Sequence, residues 1–148
     1  MTVIAQSTGQ QFSVTLREIE PEAVAQMRCI VRAHLRLWGV GDESHPAVTD
    51  AQLVVSELLA NVERHARGAC ELKLSQVGST LTIEVRDESP DLPVLREPAE
   101  WDESGRGLLL VQSLAESWEV TRYELGKSIT CRLATSESPS SASRAGAA

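Results

Sequence analysis

The sequence has few aromatic residues and no long apolar segment, and each shortage excludes a class of protein. One Phe, one Tyr and three Trp among 148 residues mean that the core must consist of aliphatic side chains, which an apolar fraction of 42% can supply. No stretch approaches the ~20 apolar residues that a transmembrane helix needs. The first residues lack the basic start and apolar run of a signal peptide. We therefore predict a cytoplasmic protein with no membrane partner.

Cysteine and positive charge are also scarce. Cys29, Cys70 and Cys131 are odd in number and widely spaced, and with the three histidines they form no zinc-ligand pattern. Reduced, structural thiols are the simplest interpretation. With a formal charge of −7, the chain lacks the surplus of Lys and Arg that direct nucleic-acid binding requires. A nucleotide is not excluded, because a metal ion, backbone N–H groups and a few basic residues can hold its phosphates.

Hydrophobic periodicity predicts one α/β domain over residues 11–134. Residues 1–10 are expected to be flexible, and the Ser- and Ala-rich residues 135–148 to form a disordered tail. Helices followed by a run of antiparallel strands favour a two-layer sandwich, with helices on one face of a mixed or antiparallel sheet. The predicted elements are strands 11–16, 70–77, 80–87, 118–124 and 127–134, helices 21–38, 46–67 and 108–118, and a long loop, a candidate lid, over 88–104.

Glu57 and Asn61 lie four residues apart in the second predicted helix, so they project from one face. Ala51, Val55 and Leu59 fall on the opposite side. The helix therefore has an apolar side for a core and a polar side that permits two interpretations. It can face water, as amphipathic helices commonly do, or it can present a carboxylate and an amide to a ligand that contains metal and phosphate.

Asp87 ends an apolar strand and precedes a chain-breaking turn at Pro90. A carboxylate in this position can accept a hydrogen bond from a ligand at the end of the sheet, for example from a purine amino group. It can equally cap the turn through the neighbouring backbone. Both interpretations remain open for Asp87 when it is considered alone.

Gly105-Arg106-Gly107 precedes an apolar segment that is predicted to be helical. Glycines allow a backbone to approach phosphate closely, and a helix N-terminus offers free N–H groups and a partial positive charge. Arg106 could add a charge-assisted hydrogen bond to phosphate. The alternative is a flexible hinge and an ordinary helix start.

The order of these three features resembles the nucleotide-binding domain of the histidine-kinase-like ATPases. The resemblance is greatest to the single-domain bacterial members of this superfamily, the anti-sigma-factor serine/threonine kinases. It covers roughly residues 12–134. The stretches that carry it are Ser-Glu-Leu-Leu-Ala-Asn-Val-Glu-Arg-His-Ala at 56–66, Val-Arg-Asp-Glu-Ser-Pro at 85–90, Ser-Gly-Arg-Gly-Leu-Leu-Leu-Val at 104–111, and Gly126-Lys127.

The resemblance implies a role for each matching residue. Asn61 matches the amide that coordinates Mg²⁺ between the phosphates of ATP, and Glu57 matches the general base for the attacking hydroxyl or water. Asp87 matches the carboxylate that accepts a hydrogen bond from the adenine amino group. Gly105 and Gly107 match the second glycine box, near the phosphates. An amide and a carboxylate within one helical turn suit phosphoryl transfer, where positioning and charge neutralisation dominate.

The chain departs from the superfamily pattern at the first glycine box, which is normally Asp-x-Gly-x-Gly. Here the sequence is Asp-Glu-Ser-Pro-Asp over 87–91, and both glycines are missing. The leading hypothesis is an ATP-binding anti-sigma factor with serine/threonine kinase activity. The resemblance then implies a sigma factor and an antagonist protein as partners, and a homodimer. The alternatives are a protein-binding regulator that keeps the fold without catalysis, and a stand-alone ATPase.

Overall fold

The computed structural model describes residues 3–65, 69–88 and 103–136, of which residues 3, 4, 65 and 103–108 are described by their backbone alone. Within these ranges the chain forms six strands and three helices. The predicted order of a strand, two helices, two strands, a third helix and two final strands is confirmed, with one additional strand at the start. The elements are β1 (Val3–Thr8), β2 (Gln11–Leu16), α1 (Pro21–Leu37), α2 (Pro46–His65), β3 (Cys70–Val77), β4 (Thr80–Asp87), α3 (Glu103–Leu114), β5 (Ser117–Tyr123) and β6 (Gly126–Ala134).

The six strands form one sheet in the order β1-β2-β3-β4-β6-β5. Every pair of neighbours in this sheet is antiparallel. The predicted two-layer α/β sandwich is therefore confirmed, with an antiparallel sheet among the described strands. In this order β4 lies at the centre, beside β6, so that residues at the end of β4 face residues at the start of β6.

The core lies between the helices and one face of the sheet. Side chains alternate along the strands, so that Leu81, Ile83 and Val85 of β4 are buried, whereas Arg86 and Glu88 are exposed. Helix α2 packs against both α1 and α3 and also contacts β4 and β6. It is therefore the central helix, and its buried residues are Ala47, Val48, Ala51, Val54, Val55, Leu58, Leu59, Asn61 and Val62.

Both ends of the domain extend further than the sequence predicted. The expectation of a flexible N-terminus was wrong for residues 3–8, which form the edge strand β1 and pair with β2 from Val3↔Leu16 to Thr8↔Gln11. Thr135 was expected to begin the disordered tail, yet it is buried and its N–H donates to the carbonyl oxygen of Ser79. Main-chain pairing, which leaves no hydrophobic pattern, stabilises both segments. The rest of the tail prediction, residues 137–148, lies outside the described residues.

The third helix begins and ends earlier than predicted. Helix α3 spans Glu103–Leu114, whereas the apolar pattern predicted a helix over 108–118. At its C-terminal end the N–H of Glu116 donates to the carbonyl oxygen of Arg132, which draws the chain into β5. Trp118 and Val120 then pack against the core from the strand and not from the helix. Most of the predicted lid loop, residues 89–102, lies outside the described residues.

Candidate functional site

Asp87 and Lys127 form a buried ion pair where β4 ends and β6 begins. The two residues are register partners on neighbouring antiparallel strands. The Nζ atom of Lys127 lies 3.1 Å from Oδ2 and 3.3 Å from Oδ1 of Asp87, and each side chain is only 1% exposed. Burying two charges is costly unless they neutralise each other, so each of these side chains requires the other.

The strand pattern explains why these two charges enter the core. Asp87 follows Val85 in the alternation of β4, and Lys127 precedes Ile129 in the alternation of β6. Val85 and Ile129 are register partners and both are buried. The next pair along the two strands, on the same face, is Asp87 with Lys127. The ion pair with Lys127 accounts for the burial of Asp87, and the role of Asp87 as a ligand acceptor stays a prediction.

Gly126 permits the close approach of the two strands at this point. A Cβ atom on residue 126 would overlap the carbonyl oxygen of Asp87 and lie 2.9 Å from the Cα atom of Glu88. The first residue of β6 must therefore lack a side chain for Lys127 to reach Asp87. Gly126 and Lys127 are part of the family resemblance, but the sequence alone indicates no role for either residue.

We expect Gly126→Ala to lower the free energy of unfolding by about 3 kcal/mol, because the strands must separate to admit the methyl group. Urea denaturation measures this difference. Gly78→Ala is the matched control: residue 78 has φ of +58° and open space around its Cβ position, so only backbone strain applies there. That control should lose about 1 kcal/mol. Equal losses at the two positions would contradict the steric account of Gly126.

Asn61 is a buried amide whose hydrogen bonding is incomplete. The residue is 5% exposed, and its Nδ2 atom is buried with no hydrogen-bond partner among the described residues. A buried amide nitrogen without a partner costs roughly 1–3 kcal/mol. Of the two interpretations of the polar side of this helix, solvent exposure is therefore wrong for Asn61. A ligand that contacted this amide would relieve the cost.

Glu57 lies one helical turn before Asn61 on α2 and is partly exposed. The helical spacing predicted from the sequence is thus confirmed for these two residues. Because α2 also contacts β4 and β6, it lies against the strands that carry Asp87 and Lys127. The structure thus gives an accessible carboxylate and a buried amide on α2 and a buried ion pair at the end of the sheet, and a single site that contains all four side chains stays a prediction.

A cleft of about 590 Å³ opens at the end of the sheet beside Asp87. Cys70 lies in its wall, and burial together with the neighbouring Asp87 carboxylate raises the pKa of the Cys70 thiol to about 12. A negatively charged thiolate is disfavoured there by both causes. The cleft is lined by Thr15, Ala69, Cys70, Glu71, Arg86, Asp87, Glu88, Leu125 and Gly126.

The three cysteines should differ sharply in reactivity. Burial also raises the pKa of the Cys131 thiol, to about 11, whereas Cys29 is exposed. Since the thiolate is the reactive form, we expect a thiol reagent at neutral pH to modify only Cys29 in the folded protein, and all three in urea. The Cys29→Ser variant should show no fast modification. Rapid modification of a second thiol in the folded protein would contradict the burial of Cys70 and Cys131.

Gly105-Arg106-Gly107 lies within the first turns of α3 and does not precede the helix as predicted. The helix begins at Glu103, so the N–H groups of Gly105 and Arg106 still belong to the first four, which have no partner within a helix. The side chain of Arg106 lies outside the described part of the chain. Its predicted contact with phosphate therefore stays a prediction.

The described residues contain no group of three or more His, Cys, Asp or Glu side chains that could hold a metal ion. A divalent ion would thus need ligands of another kind. Mg²⁺ commonly takes few protein oxygens and completes its shell with substrate phosphates and water. The amide of Asn61 fits this type of coordination.

Within residues 3–65, 69–88 and 103–136, no helix combines the length and hydropathy needed to cross a bilayer.

Comparisons with known proteins assign the chain to a family. A family model described as the histidine kinase-like ATPase domain matches residues 18–133. Among solved structures, the chain is similar to the histidine kinase domain from Erythrobacter litoralis EL346 blue-light activated histidine kinase, with 20% sequence identity and a TM-score of 0.47. That match covers 77% of this chain and 60% of the other. The comparison with curated proteins gave no match. Because the family model spans well over half of the sequence, the chain belongs to the histidine kinase-like ATPase domain family.

Proposed function

We propose that this protein is a cytoplasmic ATP-binding regulator that sequesters a sigma factor and transfers a phosphoryl group from ATP to an antagonist protein. The observation that carries the proposal is the buried amide of Asn61, with its unpartnered Nδ2 atom, one helical turn from the partly exposed carboxylate of Glu57. An orphaned buried polar atom in a family of nucleotide-binding domains is best explained by a ligand that completes its environment.

Each side chain of the site then has a distinct task. The amide oxygen of Asn61 would hold Mg²⁺, which would supply charge neutralisation at the phosphates, and the unpartnered Nδ2 of Asn61 would donate to a phosphate oxygen. Asp87 accepts a hydrogen bond from the 6-amino group of adenine. Its ion pair with Lys127 allows a carboxylate to act as an acceptor in an apolar environment.

Glu57 acts on the second substrate, the hydroxyl of a serine or threonine in the antagonist. It takes the proton of this hydroxyl as the oxygen bonds to the γ-phosphorus of ATP, and ADP leaves. Partial exposure suits this task, because a protein substrate must approach Glu57 from solvent. The buried Asn61 is shielded from such an approach and serves the nucleotide.

Phosphoryl transfer to a partner tests this proposal. The protein is incubated with Mg²⁺ and ATP labelled at the γ-phosphate, together with candidate antagonist proteins from the same organism. We expect label on a serine or threonine of one antagonist, and no label when the antagonist is omitted. Release of free phosphate at the same rate with and without every antagonist would contradict the kinase and favour a stand-alone ATPase.

A second candidate is a regulator that binds proteins without catalysis. Two observations favour it: Lys127 already contacts both carboxylate oxygens of Asp87, and both glycines of the first glycine box are replaced. If Lys127 occludes Asp87, adenine cannot bind. This candidate predicts that the purified protein does not bind ATP, whereas the kinase requires binding.

A further inference from the structure

We propose that Lys127 and Asp87 together recognise the nucleobase. Asp87 accepts a hydrogen bond from the 6-amino group of adenine, and Lys127 donates a hydrogen bond to ring nitrogen N1. This inference rests on the proposed function, since it concerns how the same site selects its nucleotide. It makes Lys127 a specificity-determining residue and not only a counter-ion. In this proposal the ion pair of Asp87 and Lys127 does not block adenine but binds it.

Lys127 has more hydrogen-bond donors than Asp87 engages. An ammonium group has three N–H donors. Within the described residues, Nζ donates one hydrogen bond to Oδ1 of Asp87 and makes an ion-pair contact of 3.1 Å with Oδ2 of the same carboxylate. At least one donor is therefore unused on a side chain that is 1% exposed. An unused donor in such a position is costly, which suggests that a ligand atom completes its bonding.

The unused donor of Lys127 lies beside the carboxylate of Asp87. The strand register places Lys127 directly opposite Asp87, and Nζ lies within 3.3 Å of both carboxylate oxygens. A ligand that donates to Asp87 must therefore place its neighbouring atoms beside Nζ. The pair presents an acceptor next to a donor, with no net charge.

Adenine presents a donor and an acceptor next to each other on one edge. The 6-amino group of adenine is a donor, and N1, the adjacent ring atom on the same edge, is an acceptor. The acceptor of Asp87 and the adjacent donor of Lys127 complement this edge of adenine. Guanine presents an acceptor, O6, where adenine presents its amino donor. In the same orientation, guanine would therefore place its O6 against Asp87, and this repulsion would exclude it.

A purely structural role accounts less well for Lys127. Replacing a buried ion pair by apolar residues of similar volume is often neutral or stabilising, so stability alone gives little reason for two buried charges. The neighbouring register pair on the same face, Val85 with Ile129, is apolar and equally buried. A charged pair at the ligand end of the same two strands is explained by a ligand that uses both charges.

Nucleotide analogues test this inference on the unaltered protein. Calorimetry compares Mg²⁺-ATP with 1-deaza-ATP, in which C–H replaces N1, and with 7-deaza-ATP as the control on a distant edge of the ring. We expect 1-deaza-ATP to bind roughly tenfold more weakly than ATP, since a hydrogen bond to a charged group is lost. The 7-deaza control should bind like ATP. Equal binding of 1-deaza-ATP and ATP would overturn the role of Lys127 and leave the proposed function intact.

A double variant links the effect to Lys127. In Asp87→Asn/Lys127→Met both buried charges are removed together, residue 87 keeps an acceptor oxygen, and residue 127 loses its donor. We expect this variant to bind ATP and 1-deaza-ATP with equal affinity. A tenfold preference for ATP that persists in the variant would contradict the inference. If the double variant does not fold, the binding of ATP and 1-deaza-ATP to the wild-type protein tests the role of Lys127. Failure of the wild type to bind any of the nucleotides would overturn the proposed function itself.

Discussion

Replacing Asp87 with alanine should lower the free energy of unfolding by about 3–5 kcal/mol, because it leaves the ammonium group of Lys127 buried without a counter-charge. Both side chains are 1% exposed, so water solvates an unpaired ammonium group of Lys127 poorly. The same variant should lose ATP binding, because the acceptor for the 6-amino group is absent. Urea denaturation measures the stability, and calorimetry of the folded fraction measures the binding.

Two controls separate the causes of this effect. Glu119 pairs with Arg132 at 3.2 Å on the exposed part of the same sheet, and Glu119→Ala should cost less than about 1 kcal/mol. The double variant Asp87→Ala/Lys127→Met removes both buried charges and should recover most of the lost stability, but no ATP binding. If Asp87→Ala were no more destabilising than Glu119→Ala, the ion pair would not be a buried element of the folded protein.

Glu57→Ala should slow phosphoryl transfer to the antagonist by a factor of about 100 or more while leaving Mg²⁺-ATP binding unchanged. The carboxylate acts on the hydroxyl of the protein substrate, so its loss affects the chemical step and spares the nucleotide. Single-turnover transfer of labelled phosphate measures the rate, and calorimetry measures the affinity. A loss of the same size in both measurements would indicate a binding role for Glu57.

Glu63→Ala is the matched control for Glu57. Glu63 is an exposed glutamate on the same helix, six residues further along, where it does not share the face of Glu57 and Asn61. The Glu63→Ala variant should transfer the phosphoryl group to the antagonist at the wild-type rate. Transfer by Glu57→Ala at the rate of Glu63→Ala would remove Glu57 from the proposed mechanism.

The sequence predicted the central hairpin of the sheet well, and the physical reason is local. Apolar residues occupy alternate positions from Cys70 to Leu74 in β3 and from Leu81 to Val85 in β4. Gly78 supplies the positive φ that a tight turn requires, and the predicted bounds are those observed. Strand β1 carries no such signal. Residues 5–8 are exposed on both faces of this edge strand, so only the main chain of β2 stabilises it.

The candidate site was predictable in its residue types but not in its burial. Helical spacing predicted that Glu57 and Asn61 share a face, but it could not show that Asn61 is buried, because burial depends on how α2 packs against the rest of the fold. Lys127 was overlooked as a site residue although a signal existed. It alternates in phase with Ile129, Cys131 and Leu133 on the buried face of β6. A lysine in phase with core residues needs a buried partner, and Asp87 is likewise in phase with the core residues of β4.

Calorimetric titration with ATP, in the presence and absence of Mg²⁺, tests the central claim most directly. The account predicts Mg²⁺-dependent binding by the wild type, its loss in Asn61→Ala, and its retention in Gln52→Ala. Gln52 is the matched control, an amide on the same helix whose Nε2 atom already donates to the carbonyl oxygen of Arg28. Absence of binding by the wild type at millimolar ATP, or unchanged Mg²⁺-dependent binding by Asn61→Ala, would contradict the account.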